Sequence, residues 1–255
     1  MFLSICPCIV SPYGNKKKQD YLVAHIPELV DLLDGSEQMK KVFREATARI
    51  CATESPKLTP AEFFGVLHGN EMLTSRDRTR KTVEAIQQCI ANPTVFPTAT
   101  IASSLTTLQS TGTWPILFFK TLMSIATSGS TDGMTRDAAT VTAIKSLLHR
   151  ATVSPLAVWD HKAAWEGWTR TYALLLPSSL TLALLVPATA LADLLGRYPA
   201  VRAQLVTLVD AKNLREQPRI KALWPVLAGA EHAMTVDQQV PAAPPAAGKG
   251  KVSVA

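Results

Sequence analysis

Apolar residues recur at helical spacing along almost all of this chain, and Pro, Gly or Asn interrupts the pattern at short intervals. Leu22, Ile26, Leu29, Val30 and Leu33 form one stripe, and Met39, Val42, Phe43, Ala46 and Ile50 form the next. Between them lies the turn Asp34-Gly35-Ser36, with Ser36 placed to cap the second helix. Leu58-Thr59-Pro60-Ala61-Glu62 is a sharper start. Thr59 is the cap, Pro60 takes the first helical position, and Glu62 completes a capping box before Gly69-Asn70 ends the segment.

Further stripes are Val83, Ile86, Ile90; Ile101, Leu105, Leu108; Ile116, Phe119, Leu122, Met123, Ala126; Ala138, Val141, Ile144, Leu148; and Trp165, Trp168, Tyr172, Leu175. Pro177, Pro187 and Pro199 each open a further segment, the last carrying Val201, Leu205 and Leu208. No stretch alternates polar and apolar residues with β-branched enrichment, so strands are not expected. The expected fold is all-α, an irregular HEAT-like or solenoid-like stack of about a dozen short antiparallel helices.

Composition bounds the same reading. With 47% apolar and 18% charged residues among 255, most of the chain can bury a core. The Pro-, Ala-, Gly- and Lys-rich residues after 231 cannot. The expected division is a flexible leader over 1–20, one helical domain over 21–231 and a disordered tail over 232–255. The apolar leader lacks a basic residue before its apolar run and is broken by Pro7, which argues against a signal peptide. Four cysteines, Cys6, Cys8, Cys51 and Cys89, are too scattered for a disulfide framework and fit a reducing compartment.

Catalytic signatures are missing. There is no GxSxG, GxGxxG, P-loop or HExxH spacing, and the five histidines fall on different expected helices, so no catalytic residue, cofactor or metal is assigned. Cys6-Pro7-Cys8 lacks the two-residue spacer of a redox or zinc pair.

Three features bear on binding. Residues 173–192 carry no charge and are long enough to cross a bilayer as one helix, although Pro177 and Pro187 divide them into two short segments. This is the basis of an alternative reading as a helical membrane-associated protein. The net charge of +6 is spread thinly, yet two basic sets stand out. Arg76, Arg78, Arg80 and Lys81 form a knot around Asp77 at a helix entry, suited to phosphate or an acidic partner. Lys212, Arg215 and Arg219 recur at one-face spacing if a helix runs through them, with Pro218 near its end. Together they support a second alternative, a helical RNA-binding adaptor. Third, Trp159, Trp165 and Trp168 stand within ten residues, either as core or as interface anchors, since Trp is enriched at binding hot spots.

Several segments resemble, in order, the C-terminal domain of the symplekin family. Leu58-Thr59-Pro60-Ala61-Glu62 running on to Leu67-His68, and the proline step Trp114-Pro115-Ile116-Leu117, are similar to that pattern. So are Val158-Trp159 with Trp165-Glu166-Gly167-Trp168, the step Val186-Pro187, and Tyr198-Pro199 with Arg202 and Leu205. The resemblance spans about residues 25–212 and leaves the leader and tail unmatched. Symplekins also carry an N-terminal HEAT-repeat domain that is not among these 255 residues. What the resemblance implies is a non-catalytic nuclear scaffold of pre-mRNA 3′-end cleavage and polyadenylation. It would hold the metallo-β-lactamase-type endonuclease and its inactive homologue, touching RNA only indirectly. On that basis Trp159, Trp165, Trp168 and Arg202 are the expected partner contacts.

Overall fold

The computed structural model describes residues 15–52, 57–110, 114–128 and 138–229. The Cys6-Pro7-Cys8 pair and the tail over 232–255 lie outside them. Among the described residues there are eleven α-helices, three short 3₁₀ segments and no strand, as the stripes require. The chain packs as two compact units divided between Val186 and Pro187, within the span expected to be one domain.

The first unit holds α1 (Asn15–Asp31), α2 (Glu37–Ile50), α3 (Pro60–Leu67), α4 (Arg76–Ile90), α5 (Thr98–Gln109), α6 (Phe118–Thr127), α7 (Ala138–Val153) and α8 (Lys162–Leu174). Helix α1 takes in the last six residues of the expected leader, 15–20. Packing runs chiefly from each helix to the next but one. On one side α1 meets α3, α3 meets α5, and α5 meets α7; on the other α2 meets α4, α4 meets α6, and α6 meets α8. Contacts of α3 with α4, α1 with α4, and α6 with α7 join the two rows. That two-layer order is how an α-solenoid buries helices too short to form a core alone.

Local chemistry sets the helix ends. Ser36 Oγ accepts from Met39 N at 3.3 Å, and Ser75 Oγ accepts from Arg78 N at 3.1 Å. At α3 the capping box is complete, with Glu62 N donating to Thr59 Oγ1 at 3.2 Å and Thr59 N donating to Glu62 Oε2 at 2.8 Å. A cap of this kind contributes about 1 kcal/mol. Ile26, Val30, Leu33, Phe43, Ile86, Ile101, Leu105, Leu122, Ile144 and Leu148 of the expected stripes are all buried. Phe43, Phe63 and Phe96 form a tilted aromatic chain with centroids 6.4 and 5.9 Å apart.

His68 ties the two rows of helices together. Its Nδ1 donates to Phe64 O at 2.9 Å, because a carbonyl can only accept, and that fixes the tautomer. Nε2 is then an acceptor, and the Thr121 hydroxyl of α6 donates to it at 2.9 Å. Burial pushes the His68 pKa down to about 4, so the ring is neutral and structural. Cys51 and Cys89 are buried free thiols. Burial pushes Cys51 up to about 12 and Cys89 upward as well, leaving neither a nucleophile at neutral pH.

One expectation shifts, and the division of the charge-free stretch by its prolines is met. Helix α6 does not open at Pro115. Phe118 N donates to Pro115 O at 3.0 Å in a turn, the helix starts at Phe118, and Ile116 stands 69% exposed instead of joining the core. The charge-free stretch 173–192 is not one helix. Helix α8 ends at Leu174, a cis Leu176–Pro177 bond and the 3₁₀ run Leu180–Leu185 follow, and α9 starts at Ala188. No helix among the described residues is long and apolar enough to cross a membrane.

The second unit is a cluster of three mutually packed helices, α9 (Ala188–Arg197), α10 (Pro199–Ala211) and α11 (Pro218–Ala228). Leu191, Leu194, Leu195, Val201, Leu205, Val209, Ile220 and Leu223 fill its centre. Gly229 ends α11 at φ +79°, a left-handed position that favours glycine.

Candidate functional site

The tryptophan cluster divides into core and surface. Trp168 is fully buried and Trp165 is 6% exposed. Trp168 Nε1 donates to Thr152 Oγ1 at 3.1 Å and reaches Leu148 O at 3.4 Å on α7. Its ring stacks between Trp165 and Tyr172, with centroids 5.1 and 5.2 Å away. The glycine of Trp165-Glu166-Gly167-Trp168 has an equally local reason. A Cβ there would lie 2.8 Å from Phe119 Cγ and closer still to Phe119 Cβ, so only glycine lets α8 pack this near α6. Tyr172 completes the stack, its hydroxyl buried without a hydrogen-bond partner among the described residues. Trp165 and Trp168 thus hold the solenoid together, and a partner cannot reach them without opening it. Of the two readings open for these rings, core and interface anchor, their burial fits core.

Trp159 is different, half-buried in the 3₁₀ turn Val158–Asp160. The preceding Ala157 is held at φ +38°, a left-handed conformation that costs an alanine about 1 kcal/mol or more. Ala157 N donates to Ser154 O at 3.2 Å and Asp160 N donates to Ala157 O at 2.8 Å, fixing the turn. Trp114 Nε1 reaches Leu156 O at 3.4 Å, which links this loop to the one before α6. Trp114 also packs on Phe118 and Phe119, with centroids 5.9 and 5.6 Å away. The two linked loops carry Trp114, Ile116, Leu156 and Trp159, all at least partly exposed, and Val153 is 58% exposed where α7 runs into them. Apolar side chains held outward on braced loops suit a protein-binding face. The sequence pointed to Trp159 but not to Ile116, whose helical spacing to Phe119 read as core.

Arg202 belongs to the second unit's own packing. Its Nη1 donates to Val226 O at 2.5 Å and reaches Leu227 O at 3.4 Å, satisfying carbonyls at the end of α11. The residue expected as a partner contact is thus half-buried and engaged inside its own unit.

The basic knot is dispersed around α4. Arg78 grips Asp31 of α1 with a forked pair of hydrogen bonds, and Lys81 Nζ donates to Asp31 O at 2.8 Å, so both fasten α4 to the end of α1. Asp31 is 47 residues from Arg78, and no short-range pattern reveals that pair. Arg80 donates to Asp77 at 2.9 Å, and that hydrogen bond holds the Asp77 carboxyl below its usual range. Arg76, exposed at the start of α4, has no side-chain partner among the described residues.

Lys212, Arg215 and Arg219 do not share one helix face. Lys212 caps α10, Asn213 turns left-handed at φ +52°, and Pro218 opens α11 with Arg219 in its first turn. Arg215 lies in the intervening loop, donating to Asp210 at 2.5 and 2.9 Å and sitting 4.3 Å above the Trp224 ring. The continuous basic face expected for an RNA adaptor is broken at Asn213. Among the described residues no group of three His, Cys, Asp or Glu side chains is placed to hold a metal ion.

No solved structure matches this chain. The family model described as symplekin tight junction protein C terminal matches residues 11–198. That stretch takes in the capping-box helix, the Trp-Glu-Gly-Trp segment and α9, and it stops before the Pro199-to-Arg202 step. With nearly three-quarters of the chain inside the match, the protein belongs to the symplekin C-terminal family.

Proposed function

We propose that this chain is a non-catalytic scaffold of nuclear pre-mRNA 3′-end cleavage and polyadenylation, holding the metallo-β-lactamase-type endonuclease subunit and its inactive homologue. The observation that carries the reading is the family match over residues 11–198, since the family's role is that of a scaffold in mRNA 3′ processing. The architecture is compatible with it. Short stacked helices provide a rigid support, and the braced loops with Trp114, Ile116 and Trp159 offer apolar anchors of the kind that dominate binding energy.

In this reading the partner docks on the Trp159 face, while Trp165, Trp168 and Arg202 act indirectly by holding their units in shape. The test is to tag the chain in its own cells, purify it under mild conditions and identify what accompanies it by mass spectrometry. Recovery of cleavage-factor subunits from nuclear extract is the expected result. Exclusion of the tagged chain from the nucleus, or recovery without any cleavage-factor subunit, would contradict it.

A further inference from the structure

Arg76 and Arg80, one turn apart at the start of α4, line an open groove of about 800 Å³ together with Lys120 of α6. Asp77, Thr79 and Val83 form the rest of its wall. Lys120 lies 40 residues beyond Arg80 in sequence and joins it only through the packing of α4 on α6. Three cations therefore face one carboxylate, which is already engaged by Arg80 at 2.9 Å and by Lys81 at 3.5 Å. Glu84, the next acid along α4, lies 4.0 Å from Lys40 and is not part of the groove wall. Arg76 and Lys120 are exposed and have no side-chain partner among the described residues.

We infer that this groove is a docking site for an acidic segment of a partner protein, its Asp or Glu carboxylates received by Arg76, Arg80 and Lys120. Charge complementarity names the occupant. Guanidinium groups bind carboxylates in paired hydrogen bonds, and the Thr79 and Val83 wall accommodates the methylenes of glutamate. Single-stranded RNA fits less well. No aromatic ring lines the groove for a base to stack on, and Arg78 is held by Asp31 while Lys81 is shared between Asp31 O and Asp77, so neither extends the cationic track past the groove. The inference does not depend on which complex the chain serves, and a failed co-purification would leave it standing.

The test uses the purified full chain and fluorescein-labelled decaglutamate, read by fluorescence anisotropy at low salt, where exposed charges are least screened. Saturable binding is expected, weakened about tenfold by the double substitution Arg76→Glu and Lys120→Glu, with the melting temperature unchanged. Lys212→Glu, in the second unit, should leave the affinity within about twofold. No saturable binding, or an equal loss with Lys212→Glu, would overturn the inference. So would tighter binding of labelled decauridylate that is lost with the same double substitution, which would reassign the groove to RNA.

Discussion

Gly167→Ala isolates the contact that lets α8 sit against α6. The added Cβ would lie 2.8 Å from Phe119 Cγ and still nearer to Phe119 Cβ, an atom fixed to the α6 backbone that no rotamer change can move aside. Overpacking of this kind costs about 1 to 3 kcal/mol, and an immovable neighbour puts this site at the upper end. Replacing a mid-helix glycine by alanine returns about 0.5 to 1 kcal/mol of helix propensity, so the net loss is about 2 kcal/mol. For a chain of this size that lowers the melting temperature by about 4 to 8 °C. Near-UV circular dichroism of the stacked Trp165, Trp168 and Tyr172 follows the unit directly. Gly65→Ala in α3 is the matched control, because a Cβ there meets nothing within 4 Å, and it should raise the melting temperature by about 1 to 4 °C. If Gly167→Ala melts at or above the parent temperature, the close approach of α6 and α8 is not what the glycine is for.

Acid should destabilise the first unit through His68. The unfolded ring takes up a proton below about pH 6.5 and the folded ring only near pH 4, so stability is complete above 6.5 and falls by about 3 kcal/mol as pH drops to 4. Urea melts from pH 7 to 4.5 should show that slope, and His68→Gln should flatten it; an unchanged slope would remove the assignment. Trp168→Ala should cost about 3 to 5 kcal/mol in thermal melts, against about 1 kcal/mol or less for Trp159→Ala. Equal losses would mean that Trp159 is core too. Arg202→Ala should cost about 1 to 2 kcal/mol and speed amide exchange in α11, by removing the donor to Val226 O. Unaltered exchange would show that the clamp is idle in solution.

What was legible in the sequence is local. The Thr59–Glu62 box, the Ser36 cap and the stripe through Val30 and Leu33 depend on residues a few positions apart, where helical periodicity and capping chemistry act without the rest of the fold. Trp165 and Trp168 were readable as aromatic and helical, but core and interface rings share that pattern, and only the packing of Phe119 and Thr152 separates them. The misreadings arose where distant residues or a single backbone torsion decide. Asp31 takes Arg78 out of the basic knot and shares Lys81 with Asp77, Lys120 enters it from α6, and the left-handed Asn213 breaks the face through Lys212 and Arg219. Ile116 was misplaced because the turn at Pro115 holds it off the helix, although its spacing to Phe119 and Leu122 is helical.

The most direct measurement is isothermal titration of the purified chain with a co-expressed endonuclease and inactive-homologue pair, repeated with Trp159→Ala combined with Ile116→Asp. Binding at about micromolar affinity or tighter, weakened by at least about a hundredfold in the double variant while its melting temperature holds, is the expected result. Failure of the unaltered chain to bind the pair would contradict the scaffold role, and binding indifferent to both substitutions would move the docking face elsewhere.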